Sequence, residues 1–150
     1  MDKVKRLKKD LGDHKVVGLD TGVFIHHFGG DELSELTSVV LGQVQDGHVR
    51  GTVSTVTLAE VMARPLELGL ESLADLYRVL FHEMPNLELV AMDPAVAARA
   101  AGIRSMGKLE MASSILLASA AEAGASAFVT DDPELTGFNG MKVMVLDEYL

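Results

Sequence analysis

The chain of 150 residues carries 13 Lys/Arg against 22 Asp/Glu, a net charge of −9, with 48% apolar residues and no cysteine. That length suits one domain, residues 1–150, burying about two-thirds of its unfolded surface, and the lack of thiols excludes a disulfide framework and a thiolate metal site. No apolar run approaches the roughly 18 residues of a bilayer span, and the opening MDKVKRLKKDLGDHK lacks the apolar centre of a signal peptide, so a cytoplasmic protein without membrane contact is expected.

Residues 1–15 hold six Lys/Arg against three acids, a local +3 that leaves −12 on residues 16–150. The basic segment reads either as a helix with Val4, Leu7 and Leu11 turned to the core or as an arm gripping a polyanion. The acidic remainder is a poor non-specific duplex binder, because phosphate neutralisation drives such binding. Any nucleic-acid contact there must be local or bridged by cations.

Next, VVGLD (16–20) reads as a buried strand and ELSELTSVVLGQVQ (32–45) as a helix. GTVST (51–55) is a second strand, followed by helical spacing in LAEVMARPLELG (58–69) and SLADLYRVLFHEM (72–84). Pro65 is expected to kink or end the first of these helices, and Gly69 suits a helix end. LELVAM (87–92) gives a third strand, then PAVAARAAGIRSM (94–106) a helix with Pro94 in its first turn. EMASSILLASAAEAG (110–124) is helical up to Gly124, and SAFVT (126–130) and KVMVL (142–146) complete five strands. Strands fed by helices predict an α/β fold, a three-layer sandwich around a central, mostly parallel sheet of four to five strands.

Three acids sit where a strand hands over to a helix or turn: Asp20, Glu60 and Asp132, with Asp131 beside the last. Each has a structural role open to it. Thr57 to Glu60 matches a capping box, Asp132 before Pro133 suits an N-cap, and Asp20 can cap a segment starting at Thr21. Together they mean more, because the carboxyl ends of parallel strands line one crevice. Carboxylates crowded there repel by more than a cap's ~1 kcal/mol, and a hard cation with oxygen ligands, Mg²⁺ or Mn²⁺, relieves the repulsion.

These motifs, in this order, resemble those of the PIN-domain nucleases. LDTGVFIHHF resembles the family's opening motif, STVTLAEVM its second, and ASSILLASAAEAGASAFVTDDPEL its third and fourth run together, so the likeness spans roughly residues 15–147. Chains of this size are similar to the VapC-type toxins, metal-dependent endoribonucleases of toxin–antitoxin pairs. The resemblance implies a PIN-like fold, with Asp20, Glu60 and Asp132 as metal-binding carboxylates and Thr21 and Thr130 as supporting hydroxyls. It departs at Ser113, which stands where the family's third acid belongs; Glu110, three residues earlier, or Asp131 are the replacements to consider. The implied activity is cleavage of RNA and the implied partner an antitoxin; a second copy of the chain is a partner suggested instead by the apolar excess of residues 58–84. A fold that kept nucleic-acid binding or interaction but lost hydrolysis is the alternative.

Elsewhere the chain offers no nucleotide phosphate loop, no H-E-x-x-H and no G-x-S-x-G elbow. His26 and His27 follow the first motif and either line the substrate groove or end a helix. Arg104 and Lys108 precede the third motif and either contact phosphates or are ordinary surface charges. Residues 58–84 carry more leucine than one sheet face covers, which suggests either a partner surface or a thick core.

Overall fold

The computed structural model describes residues 2–150 and places five parallel strands in one sheet. They are β1 (Val16–Leu19), β2 (Arg50–Ser54), β3 (Leu87–Val90), β4 (Ala127–Thr130) and β5 (Lys142–Val145), in the order β3-β2-β1-β4-β5. Every neighbouring pair is parallel, so the expected mostly parallel sheet is wholly so. Among the described residues seven α-helices surround it: α1 (Lys3–Gly12), α2 (Thr21–Gly29), α3 (Ser34–Gln45), α4 (Thr55–Glu67), α5 (Glu71–Glu83), α6 (Pro94–Met106) and α7 (Met111–Glu122).

Strand periodicity divides the core between the two faces. Val17, Leu19, Ala127, Val129 and Met144 join one cluster with Leu7, Leu11, Phe24, Val40 and Phe81, from α1, α2, α3 and α5. Phe128 and Val143 point the other way, to Leu116, Leu117 and Ala120 of α7. Gly18 explains how closely α7 approaches β1: a Cβ there would collide with Ala120 and the Phe128 ring. Thr52, on β2, is buried with no partner for its hydroxyl among the described residues.

The N-terminal basic segment is a helix that buries Leu7 and Leu11, leaves Val4 half-buried and turns its lysines to solvent. Arg6 lies over the Tyr149 ring, 4.7 Å from its centroid, and the Tyr149 hydroxyl donates to Asp10. Gly69 and Gly124 close their helices at φ of 74° and 85°, where a side chain would be strained, as their positions imply. Pro94 opens α6 behind the cap Asp93.

Two local expectations change. Helix α4 begins at Thr55, capped by Ser54, whose hydroxyl accepts from the Val56 amide at 3.0 Å, so Thr57 is not its cap. The same helix runs through a buried Pro65 to Glu67. A proline so near the last turn removes only one late hydrogen bond. Nor do the leucines of residues 58–84 form a thick core. Phe81 is buried, but Leu66, Leu70 and Leu76 are exposed and Leu68 is 57% exposed. No helix among the described residues is long and apolar enough to cross a membrane.

Candidate functional site

With β1 in the middle, the carboxyl ends of β2 and β4 fall on either side of it. Each of these three strands hands over to a helix or turn through a polar cap. Asp20 caps α2, Ser54 caps α4, and Asp132 caps the short 3₁₀ helix Pro133–Gly137. The capping roles foreseen for Asp20 and Asp132 are therefore real, and they do not compete with a site: they fix where the carboxylates stand. The positive ends of the α2 and α4 dipoles face the same edge, which favours anions there.

Asp20 is the centre of the group. Its side chain is 9% exposed, with Oδ1 accepting from the Thr21 amide at 2.7 Å and Oδ2 from the Thr130 hydroxyl at 2.6 Å. Thr130 Oγ1 in turn accepts from the Asp132 amide at 3.0 Å, so one hydroxyl joins the ends of β1 and β4. Asp132 Oδ1 accepts from the Glu134 amide at 2.9 Å. From the other side, the Thr21 hydroxyl donates to Glu60 Oε1 at 2.9 Å and meets Thr57 Oγ1 at 2.8 Å. Thr57 and Glu60, read in sequence as a cap for their own helix, are instead linked through Thr21 to the end of β1.

The electrostatics follow from this crowding. Burial pushes the Asp20 carboxyl up to about 6; the Thr130 and Thr21 hydrogen bonds oppose it, and the charges of Asp131 and Glu60 reinforce it. Asp131 rests against Gly22, where a Cβ would collide with its carboxylate. Its Oδ2 lies 2.9 Å from His26 Nε2, and His26 Nδ1 lies 2.5 Å from Asp31 Oδ2. Carboxylates only accept, so both ring nitrogens must carry protons to satisfy both partners. Burial works against the charged ring, yet the hydrogen bonds it donates to Asp31 and Asp131, and their charges, prevail and its pKa is raised. His27 faces α3, with Nδ1 3.3 Å from Thr37 Oγ1, and burial lowers its pKa.

The two candidate replacements for the third acid fare differently. Asp131 lies within electrostatic reach of Asp20. Glu110 occupies the cap position of α7 but is exposed, and no hydrogen bond or ion pair joins it to the other acids among the described residues. Ser113, in the first turn of α7, is half-buried. Ser114, not Ser113, bonds back to the Glu110 carbonyl at 2.9 Å.

The donor chemistry suits a hard divalent cation: oxygen donors throughout, with a carboxylate whose charge is disfavoured by burial first and by Asp131 and Glu60 next. Among the described residues no three His, Asp or Glu side chains are grouped so as to hold one ion. Mg²⁺ does not need such a cage, since it usually keeps several waters and takes one or two carboxylates.

Sequence spacing could not reveal the Asp31–His26–Asp131 bridge, because Asp131 lies 105 positions from His26. Gly22 was equally silent, being only a glycine in a helix start.

Comparison with known proteins agrees with this architecture. The PIN domain family model matches residues 17–139. No curated protein matches the chain by sequence. Among solved structures, a toxin–antitoxin complex from Klebsiella pneumoniae is similar at a TM-score of 0.65 and 18% identity, covering 87% of this chain and 97% of its own. VapBC2 from Rickettsia felis, bound to a DNA fragment from its promoter, is similar at 0.66 and 11%, covering 87% and 98%. DNA-bound VapBC from Salmonella typhimurium gives 0.61 and 15%, covering 87% and 97%. At these identities the likeness concerns the fold.

Proposed function

The chain belongs to the PIN domain family, and from that premise we propose that residues 1–150 form a single PIN-like domain acting as a metal-dependent endoribonuclease, the toxin of a type II toxin–antitoxin pair. What supports this reading is the hydrogen-bond chain at one sheet edge, in which Thr21 bonds Asp20 and Glu60, Thr130 bonds Asp20 and accepts from the Asp132 amide, and His26 bonds Asp131.

Asp20, Glu60 and Asp132 are the proposed ligands for Mg²⁺ or Mn²⁺, one or two of them binding directly and the rest through its waters, with Asp131 as an additional donor and Glu110 as the more remote one. Bound there, the ion supplies Lewis acidity to the phosphodiester and acidity to an attacking water. The protein's own part is orientation. Thr130 fixes Asp20 Oδ2, Thr21 fixes Glu60 Oε1, and His26 holds Asp131. Outer partners of this kind keep a ligand in its productive direction. The helix ends at this edge and the ion together supply the local attraction that an acidic protein needs to meet RNA.

The complexes to which the fold is similar suggest a cognate antitoxin as partner, and the exposed leucines of α4, α5 and their connection suggest a surface for it or for a second copy of this chain. The proposed setting is the cytoplasm. The test is cleavage of structured RNA with and without Mg²⁺: the wild type should cut only with metal, and unchanged cutting by Asp20→Asn would refute the assignment.

Ser113 favours a second reading, a PIN module with weakened hydrolysis that binds nucleic acid or a partner. Millimolar Mn²⁺ separates the two, because an ion that fills the site raises thermal stability by mass action. No rise would favour the weakened module.

A further inference from the structure

A cavity of about 970 Å³ opens between the end of α6, the loop into α7 and the 3₁₀ helix that Asp132 caps, with the loop that follows it. Nothing in the catalytic reading uses it. We propose that it is a nucleotide subsite, which receives a base and its phosphate from single-stranded RNA next to the bond to be cut. This rests on the nuclease reading and deepens it.

Position is the first support. Glu134 lines the cavity, and its amide is the one that donates to Asp132 Oδ1 at 2.9 Å, so the wall of the cavity and the acid Asp132 are held on the same 3₁₀ helix.

The lining is the second. Ile103, Leu109 and Phe138 present half-buried apolar surface, and Asn139 adds an amide able to meet the donors and acceptors of a base edge. Four glycines in the wall keep it bare of side chains. Aromatic and apolar platforms of this kind take unstacked bases, and the volume sits at the upper end of the roughly 300–1,000 Å³ of small-ligand sites.

Charge is the third. No acid occurs between Asp93 and Glu110, whereas Arg99, Arg104 and Lys108 fall in that interval, three of the seven Lys/Arg outside residues 1–15. Arg99 is paired with Glu122 at 2.7 Å, and Arg104 donates to the Leu109 carbonyl at 2.5 Å. Lys108 forms no ion pair among the described residues and stands exposed on the cavity wall. Glu134 is the acid in the same wall, and with Arg99 already paired to Glu122, Lys108 is the cation left to meet a phosphate there.

The test is binding of short A, C and U oligoribonucleotides and of an abasic oligomer of equal length to the full chain in EDTA, where metal-dependent cutting is silent. Base-bearing oligomers should bind several-fold more tightly than the abasic one. Lys108→Ala should lower the slope of log affinity against log salt by about 0.7, one single-strand phosphate contact. Asn139→Ala should alter the ranking of the bases, and Arg78→Ala, on α5, should change neither. Equal binding of the abasic oligomer, no binding at all, or equal losses for Lys108→Ala and Arg78→Ala would overturn the subsite. If RNA is never cut yet this pattern holds, the nuclease reading falls and the subsite stands. If metal-dependent cutting is seen while both cavity variants bind and cut every sequence as wild type does, the subsite alone falls.

Discussion

Replacing Asp20 by asparagine should stabilise the metal-free protein at pH 8 even as it removes the function proposed for it. The folded carboxyl titrates near 6, against 3.8 for an unperturbed aspartate. Between those values the folded state keeps a proton that the unfolded chain has lost, so stability falls as pH rises from about 4 to about 6 and stays low above that. At 1.36 kcal/mol per tenfold change in the proton equilibrium, the full loss is about 3 kcal/mol. Asparagine removes the charge and keeps the bond from the Thr21 amide, but its own NH₂ faces the Thr130 hydroxyl that Asp20 accepts from, which forfeits about 1 kcal/mol. The net gain is about 1–2 kcal/mol, or roughly 2–8 °C in Tm for a chain of this size. Thermal unfolding followed by circular dichroism in EDTA at pH 4.5 and 8 measures it: the variant should melt higher at pH 8, and the two should nearly coincide at pH 4.5. With millimolar Mn²⁺ only the wild type should gain. A variant equally destabilised at both pH values would mean that the Asp20 charge is not strained, and the physical case for a cation there would be lost.

Thr52→Val removes a buried hydroxyl without a partner while keeping its shape, and denaturant titration should show a gain of about 1 kcal/mol. Gly22→Ala drives a methyl into the Asp131 carboxylate, so isothermal titration should find Mn²⁺ affinity reduced by about 10-fold, the lower end of the range for disturbed ligand supports, with the fold intact by circular dichroism. His26→Ala frees Asp131 from Asp31 and should lower Mn²⁺ affinity by a similar factor of about 10, whereas His27→Ala, facing α3, should not. Leu68→Glu and Leu76→Glu on the exposed ridge should shift any concentration-dependent dimer toward monomer in sedimentation, with the melting temperature within about 2 °C of wild type, since exposed positions carry little of the fold's stability.

The sequence disclosed most of the sheet because each strand is a short β-branched run between helices whose apolar spacing is regular. It disclosed the helix ends at Gly69, Gly124 and Pro94 because those signals act within a few residues. It misread the start of α4 for a related reason: Thr57 and Glu60 satisfy a local capping pattern, yet their side chains turn to Thr21, some 36 and 39 positions away. The site was legible only as acids at strand ends. That Asp131 is bridged through a histidine to Asp31, and that Glu110 stands apart, depends on how α2 and α7 dock, which no spacing encodes. The leucines of residues 58–84 told of excess apolar surface but not which way it faced.

The placement of β1 at the centre of the sheet has a consequence for how the protein can fail. Asp20, Glu60, Asp131 and Asp132 hang from the three inner strands or from a helix that begins on one of them, while β3 and β5 form the rims. Rim strands fray first, because half of their amides have no neighbour to hold them. Hydrogen exchange should therefore find the periphery breathing long before the acids lose register. Mild heat or denaturant would soften the margins and leave the acids in place until the inner strands give way.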